Sequence, residues 1–217
     1  MATSTFLTAN MYLLICIALM LLSQAFVAAV PYSNYILAPK SRTVYPAAVH
    51  KVNGTVSNAE SLIENVHGDA CFQGVSSVTY DYGKNIAGVV SVSVGKSSSP
   101  DAFIGLTYTE SSLWISGQAS DATELYGLDE VLWLHVGQGP GTYTVERYHE
   151  RGGFRYLSLI SNTSATIEVT SVVTNFTAAP TQNLTNYQGY FHSNDELINR
   201  VWYAGTSCSK STLSIDA

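Results

Sequence analysis

Charge is scarce in this chain. Only 12% of its residues are Asp, Glu, Lys or Arg, and no Lys or Arg precedes Lys40. The 10 basic residues are outnumbered by 16 acidic ones, for a formal net charge of −6 at pH 7. No basic patch exists to track a phosphate backbone, which sets nucleic acid aside as a partner. Cysteine is nearly absent as well. Cys16 falls in an apolar leader, leaving Cys71 and Cys208. They suffice for one disulfide in an oxidising compartment but not for a disulfide framework, and they lack metal-ligand spacing. His50, His67, His135, His149 and His192 share no ligand spacing either. No segment after the leader approaches the roughly 20 apolar residues of a membrane-spanning helix. Nothing resembles a nucleophile elbow. Gly137-Gln138-Gly139-Pro140-Gly141 lacks the strand–helix context of a phosphate loop, and Pro140 removes an amide donor. The expectation is no metal and no cofactor.

What is present begins at the leader. Met11 to Leu22 is an unbroken apolar run of secretory h-region length, too short to cross a bilayer comfortably. Small residues follow where a signal peptidase needs them, at Ser23-Gln24-Ala25 and Val27-Ala28-Ala29. Residues 1–29 therefore read as a cleavable signal peptide and the remainder as secreted, extracellular and without stable membrane association. An uncleaved anchor is the alternative, because only the terminal amine supplies positive charge before the run. Asn53, Asn162, Asn175 and Asn183 each open an Asn-x-Ser/Thr sequon and are the candidate glycosylation sites.

From Ser76 onward the apolar period is two. Ser77 to Tyr82, Gly88 to Val94, Ile104 to Thr109, Thr142 to Arg147, Arg155 to Ile160 and Thr166 to Thr174 alternate, with Val90, Val92 and Val94 on one face. Val131 to Val136 is continuously apolar, as for a strand covered on both sides. Turn signals such as Gly83-Lys84-Asn85, Ser97 to Pro100 and Gly152-Gly153 separate the runs. Val, Thr and Tyr suit pleated, half-buried surfaces. The fold class is all-β, a two-sheet antiparallel β-sandwich of jelly-roll type over 30–180. Residues 31 to 70 are expected to hold an edge strand and a loop. The pattern then changes: Ser193-Asn194-Asp195-Glu196 has the form of a capping box, and Leu197, Ile198, Val201 and Trp202 recur at helical spacing. An amphipathic C-terminal helix is expected, with no following element to cover it.

Four segments carry a family resemblance. Tyr80-Asp81-Tyr82-Gly83-Lys84-Asn85-Ile86-Ala87-Gly88 resembles an aromatic-acidic-aromatic-Gly strand and turn in the N-terminal β-sandwich of α-L-rhamnosidase-like glycosidases. Tyr108-Thr109-Glu110-Ser111 resembles the next strand's ending. His149 to Leu157 resembles the Phe-Arg-Tyr strand of that domain. Phe191 to Trp202 resembles the first helix of the six-hairpin (α/α)6 catalytic barrel that follows it. The resemblance covers roughly residues 31 to 205 and is strongest to secreted fungal members. It implies an accessory sandwich and, over 181–217, a linker and the threshold of a truncated barrel. The family's two catalytic carboxyl groups, which invert the anomeric centre of terminal α-L-rhamnosides, would lie beyond Ala217, so no catalytic residue is assigned here.

The local carboxylates lead to the same expectation. Inverting hydrolysis requires two carboxyl groups about 6.5–9.5 Å apart across a cleft. Asp129 and Glu130 would point to opposite faces of a strand, Asp195 and Glu196 suit a helix N-terminus, and Glu146 with Glu150 is the remaining pair; none is assigned a catalytic role. Asp81, Glu110 and Arg151 read as structural ion-pair residues. Trp114 and Arg155 are the candidate carbohydrate-binding residues, by ring and guanidinium contact. Trp133 and Trp202 read as packing, and His135 as a hydrogen-bonded core residue. A second reading of the whole is a free-standing secreted β-sandwich that binds glycans, the partner in either case being a carbohydrate or plant glycoside.

Overall fold

The computed structural model describes residues 32–64, 68–121, 129–187 and 189–212, with the side chains of 207–212 excepted. The leader and its cleavage sites lie outside the described residues. The described residues form ten strands and one α-helix: β1 (Thr43–Val44), β2 (Ala48–Ser57), β3 (Ala70–Ser97), β4 (Phe103–Thr109), β5 (Ala119–Ser120), β6 (Asp129–Glu130), β7 (Leu132–His135), β8 (Gly141–Thr144), β9 (Arg151–Ser161), β10 (Thr166–Phe176) and α1 (Glu196–Thr212). No described helix is long and apolar enough to cross a membrane.

The Gly83-Lys84-Asn85 turn signal does not end a strand. β3 runs through it for 28 residues and serves both layers of the sandwich. Its first half lies between β2 and β9, with Val78 opposite Val52 and Leu159. Its second half lies between β8 and β10, with Val92 opposite Tyr143 and Val172. Residue numbers rise along β10 as they fall along β3, Ile167 beside Ser97 and Phe176 beside Gly88. β4 and β7 extend the first layer and β1 the second. One eight-stranded sheet thus curls into a two-layer β-sandwich.

The change of layer is made by a bulge. The register steps from Asp81 opposite Tyr156 to Ile86 opposite Phe154, five positions on β3 against two on β9. Gly83 takes φ +73° there, a region L side chains avoid, and its amide donates to Asp81 Oδ1 at 2.6 Å. Gly88 follows with φ +155°, and β10 passes so close that a Cβ would sit 2.1 Å from the Asn175 carbonyl oxygen.

Between the layers lies one apolar cluster. β3 gives Val78, Tyr80, Tyr82, Ile86, Val90, Val92 and Val94; β4 gives Ile104, Leu106 and Tyr108; β9 and β10 add Phe154, Leu157, Leu159, Ile167 and Val172. Each such side chain contributes about 1.5–3 kcal/mol by leaving water. Two phenols of β3 are satisfied within this cluster: Tyr80 donates to the Ala59 carbonyl at 3.0 Å, and Tyr82 bonds Thr174 Oγ1 at 2.8 Å. Cross-strand hydroxyl pairs form at Thr79–Ser158, which is buried, and at exposed Ser91–Thr144 and Ser93–Thr142, each 2.8 Å apart.

Three expectations are corrected. The 131–136 run is not covered on both sides. β7 ends the sheet beside β4 alone, so Trp133 is 38% exposed and lies over Gly105, where a Cβ would meet its ring at 2.7 Å. His135 is exposed rather than core; it stacks on Phe103 at 4.6 Å, and its Nε2 donates to the Pro100 carbonyl. The helix cap is Asp195, not Ser193: Asp195 Oδ1 accepts from the amides of Leu197 and Ile198. Ser193 is tied instead to the side chain of buried Asn199, and Glu196 accepts from Tyr35 Oη at 2.6 Å and from Arg200.

The helix also docks by another stripe. Tyr203 is fully buried, stacked on Tyr35 at 5.5 Å and edge-on to Tyr187 and Trp202. Leu197, Ile198 and Val201 are left 69%, 50% and 63% exposed. Replacing these three by Gln is expected to raise solubility without lowering Tm, whereas Tyr203→Ala is expected to cost about 3 kcal/mol. Gly88→Ala, which adds strain of roughly 1–3 kcal/mol to the β10 clash, is expected to lower Tm sharply or abolish soluble expression. Thermal melts of these variants check both statements, and a wild-type Tm for Gly88→Ala would refute the close approach.

Candidate functional site

Residues separated by tens of positions in sequence meet where β3 changes layer. Phe154 of β9 is edge-on to Tyr82 at 5.5 Å and to Tyr108 at 5.0 Å. Burial pushes the Tyr82 and Tyr108 phenols up, so both stay neutral. Around this ring cluster the charged groups are paired. Asp81 accepts two bonds from Arg155, from Nε at 2.8 Å and Nη2 at 2.9 Å. Asp129 binds Arg151 through both carboxylate oxygens, with Nη2 to Oδ1 at 2.7 Å, and the Arg151 guanidinium lies 5.1 Å from the Tyr108 ring centre. Glu110 forms no ion pair; its Oε1 accepts from Asn85 Nδ2 at 2.7 Å, directly beside Gly153.

Hydrogen bonds from Arg155 hold the Asp81 carboxyl below its ordinary range, against the opposing effect of burial, with the Gly83 amide assisting. Desolvation pulls Arg151 below the usual guanidinium value. A general acid needs the opposite, a carboxyl raised toward neutrality. The geometry of this cluster is that of a braced sandwich end.

A cavity of about 410 Å³ opens nearby, between the 3₁₀ turn Arg147–His149 and the chain leaving β10. Arg42, Arg147, Glu150, Asn175, Thr144 and Thr177 supply its polar wall, over Val89, Val145 and Phe176. Arg42 is clamped by four carbonyls, those of Phe176 (3.0 Å), Ala178 (3.2 Å), Ala179 (2.8 Å) and Gln182 (3.0 Å). Glu150 Oε1 accepts from Thr177 Oγ1. Glu150 is the one carboxylate lining this cavity, and Glu146 stays outside it. Among the described residues no three His, Cys, Asp or Glu side chains gather as metal ligands.

The remaining sequence candidates are scattered. Trp114 stands 66% exposed on the 3₁₀ turn Ser112–Trp114, next to Leu113 at 83%. No hydrogen bond or ring contact joins it to Arg155, whose guanidinium is spent on Asp81 and lies 5.2 Å from the Tyr156 ring. Asn53, Asn162, Asn175 and Asn183 are all exposed. Cys71 is a half-buried free thiol, and the Cys208 side chain lies outside the described residues. Sequence reasoning missed the cavity altogether. Its signals were an isolated Arg42 and the Arg147-Tyr148-His149-Glu150 cluster, which nothing local brings together.

No protein-family model matches the chain, and no curated protein matches it. Solved structures do. A GH78 family rhamnosidase of Bacillus sp. GL1 aligns with 65% of this chain and 14% of its own, at 22% identity and TM-score 0.50. A rhamnosidase from Klebsiella oxytoca with rhamnose bound aligns with 69% of this chain and 33% of its own, at 19% identity and TM-score 0.45. The CBM32 of AlyQ, in complex with 4,5-unsaturated mannuronic acid, aligns with 59% of this chain and 96% of its own, at 13% identity and TM-score 0.37. The chain spans a third or less of either rhamnosidase. Identities of this order speak to fold and not to activity, and the shared β-sandwich rests on the Bacillus match.

The Asp81–Arg155 pair has a testable sign. Its folded pKa lies below the unfolded value of about 3.9, so its contribution is complete above that pH and is lost as pH falls through the folded pKa. Arg155 is 41% exposed, so Asp81→Asn is expected to cost about 1 kcal/mol or less at neutral pH. The Tm gap between wild type and variant should narrow progressively as pH falls below the unfolded value of about 3.9; a gap of constant size would place the effect outside the ion pair.

Proposed function

We propose that this chain is the non-catalytic β-sandwich region of a secreted glycoside hydrolase resembling α-L-rhamnosidase. The observation that carries the reading is convergence. Three of the four resembling segments, around Tyr82, Tyr108 and Phe154, meet in one ring cluster braced by Asp81–Arg155, Arg151–Asp129 and Glu110–Asn85. That residues sharing the resembling segments also meet in space supports the reading. The fourth segment forms α1, whose apolar residues Leu197, Ile198 and Val201 face outward, as befits a helix bordering a further helical domain. The apolar leader and four exposed sequons support export. The full enzyme's action on terminal α-L-rhamnosides would belong to carboxyl groups outside this sandwich.

A second reading, a free-standing carbohydrate-binding sandwich, is favoured by Trp114. An exposed indole on a short turn presents a flat apolar face of the kind that stacks on a pyranose. The purified chain is expected to release no p-nitrophenol from p-nitrophenyl α-L-rhamnoside; turnover above blank would overturn the non-catalytic assignment. In a glycan array, binding lost in Trp114→Ala would favour the second reading, and an array without such a signal would retire it.

A further inference from the structure

We infer that the cavity beside Arg147 is a binding site for an acidic sugar, a pyranoside carrying a ring carboxylate. The inference rests on the reading above that the sandwich belongs to a carbohydrate-directed protein, and goes beyond it in naming a site and a ligand class.

The first argument is charge. The chain as a whole is acidic, at −6, yet this cavity gathers two guanidinium groups against one carboxylate. Elsewhere Arg151, Arg155 and Arg200 are each neutralised by Asp129, Asp81 and Glu196. Arg42 and Arg147 are not. Arg42 donates to four backbone carbonyls, which fix its position and leave its charge uncompensated. The Arg147 side chain is exposed and its guanidinium has no hydrogen-bond or ion-pair partner among the described residues. Its planar fork matches a carboxylate in the two-bond geometry that an ammonium cannot offer.

The second argument is the rest of the lining. Glu150 repels a carboxylate but accepts from a hydroxyl, and its geometry is set by Thr177. Asn175 and Thr144 offer an amide and a hydroxyl. A ligand that is anionic at one end and hydroxylated at the other meets both halves, acid toward Arg147 and hydroxyls toward Glu150 and Asn175. The floor of Val89, Val145 and Phe176 suits the C–H face of a sugar ring. The volume, about 410 Å³, falls within the range of small-molecule sites. The alternation of exposed Asn175 with buried Phe176 at the end of β10 is what sets wall and floor side by side.

Methyl β-D-glucuronide and methyl β-D-glucoside share a ring and differ in the carboxylate; the galacto pair does the same. The full chain, produced without N-glycosylation because Asn175 lines the cavity, is titrated with all four by ¹⁵N–¹H NMR. At least one uronide is expected to bind at millimolar concentration, to shift the Thr144 and Asn175 amides, and to bind more tightly than its neutral partner. Arg147→Ala should weaken uronide binding roughly tenfold, the loss of one charge-assisted pair, and leave Tm unchanged since Arg147 is exposed. Equal binding of acidic and neutral partners, an unaffected Arg147→Ala variant, or inorganic phosphate binding as tightly as the uronide would each overturn the assignment. So would the absence of binding by either uronide, which leaves the non-catalytic sandwich reading standing, because that is decided by the rhamnoside assay.

Discussion

The architecture turns on the few residues where β3 leaves one layer for the other. A strand that serves both sheets must bend without opening its ladder. Here the bend is made by a bulge at 82–85, with Gly83 at φ +73° and its amide held by Asp81. Gly88 then lets β10 approach within a distance no side chain would permit. Asp81 links this bend to Arg155 of β9, and Arg151 opposite Gly88 links it to Asp129 of β6. Removing the bulge would separate the two layers, the ring cluster at Tyr82, Tyr108 and Phe154, and the cavity wall formed by the end of β10.

The surface follows from the same economy of charge that marks the composition. Cross-strand hydroxyl pairs at Ser91–Thr144 and Ser93–Thr142 satisfy polar groups locally with short side chains. Of the arginines, Arg151, Arg155 and Arg200 have a carboxylate partner, and Arg42 is held by backbone carbonyls. Most guanidinium groups here brace the fold; Arg147 does not.

The fold was legible because it is written in local patterns. Alternation marked β4, β9 and β10, and the run of Val90, Val92 and Val94 marked a buried face that the core contains. Helical spacing marked α1, though not its docking stripe. That choice depends on Tyr35 and Tyr187 meeting Tyr203, contacts that span much of the chain. The turn signal at Gly83 was read as a break because glycine looks the same at a turn and at a bulge, and only the partner strand distinguishes them. Trp133 was placed in the core from its apolar neighbours, but hydropathy does not reveal which strand ends a sheet. The cavity was illegible for the same reason: Arg42, Arg147 and Asn175 converge only once β1, β8 and β10 are assembled. Asn175 was visible solely as a sequon.

Arg42 joins two parts of the chain 134 to 140 positions apart, donating to Phe176, Ala178, Ala179 and Gln182. Four bonds from one planar group act as a mechanical buckle. The chain leaving β10 is held at that point, and α1 is held separately through Tyr35, which stacks on Tyr203 and donates to Glu196. A pull on residues 176–182 would meet the four bonds of this guanidinium before it reached the sheet ladders. The exit from the last long strand is thus fixed by one planar group and the helix by one phenol, so the segment between them is anchored at both ends.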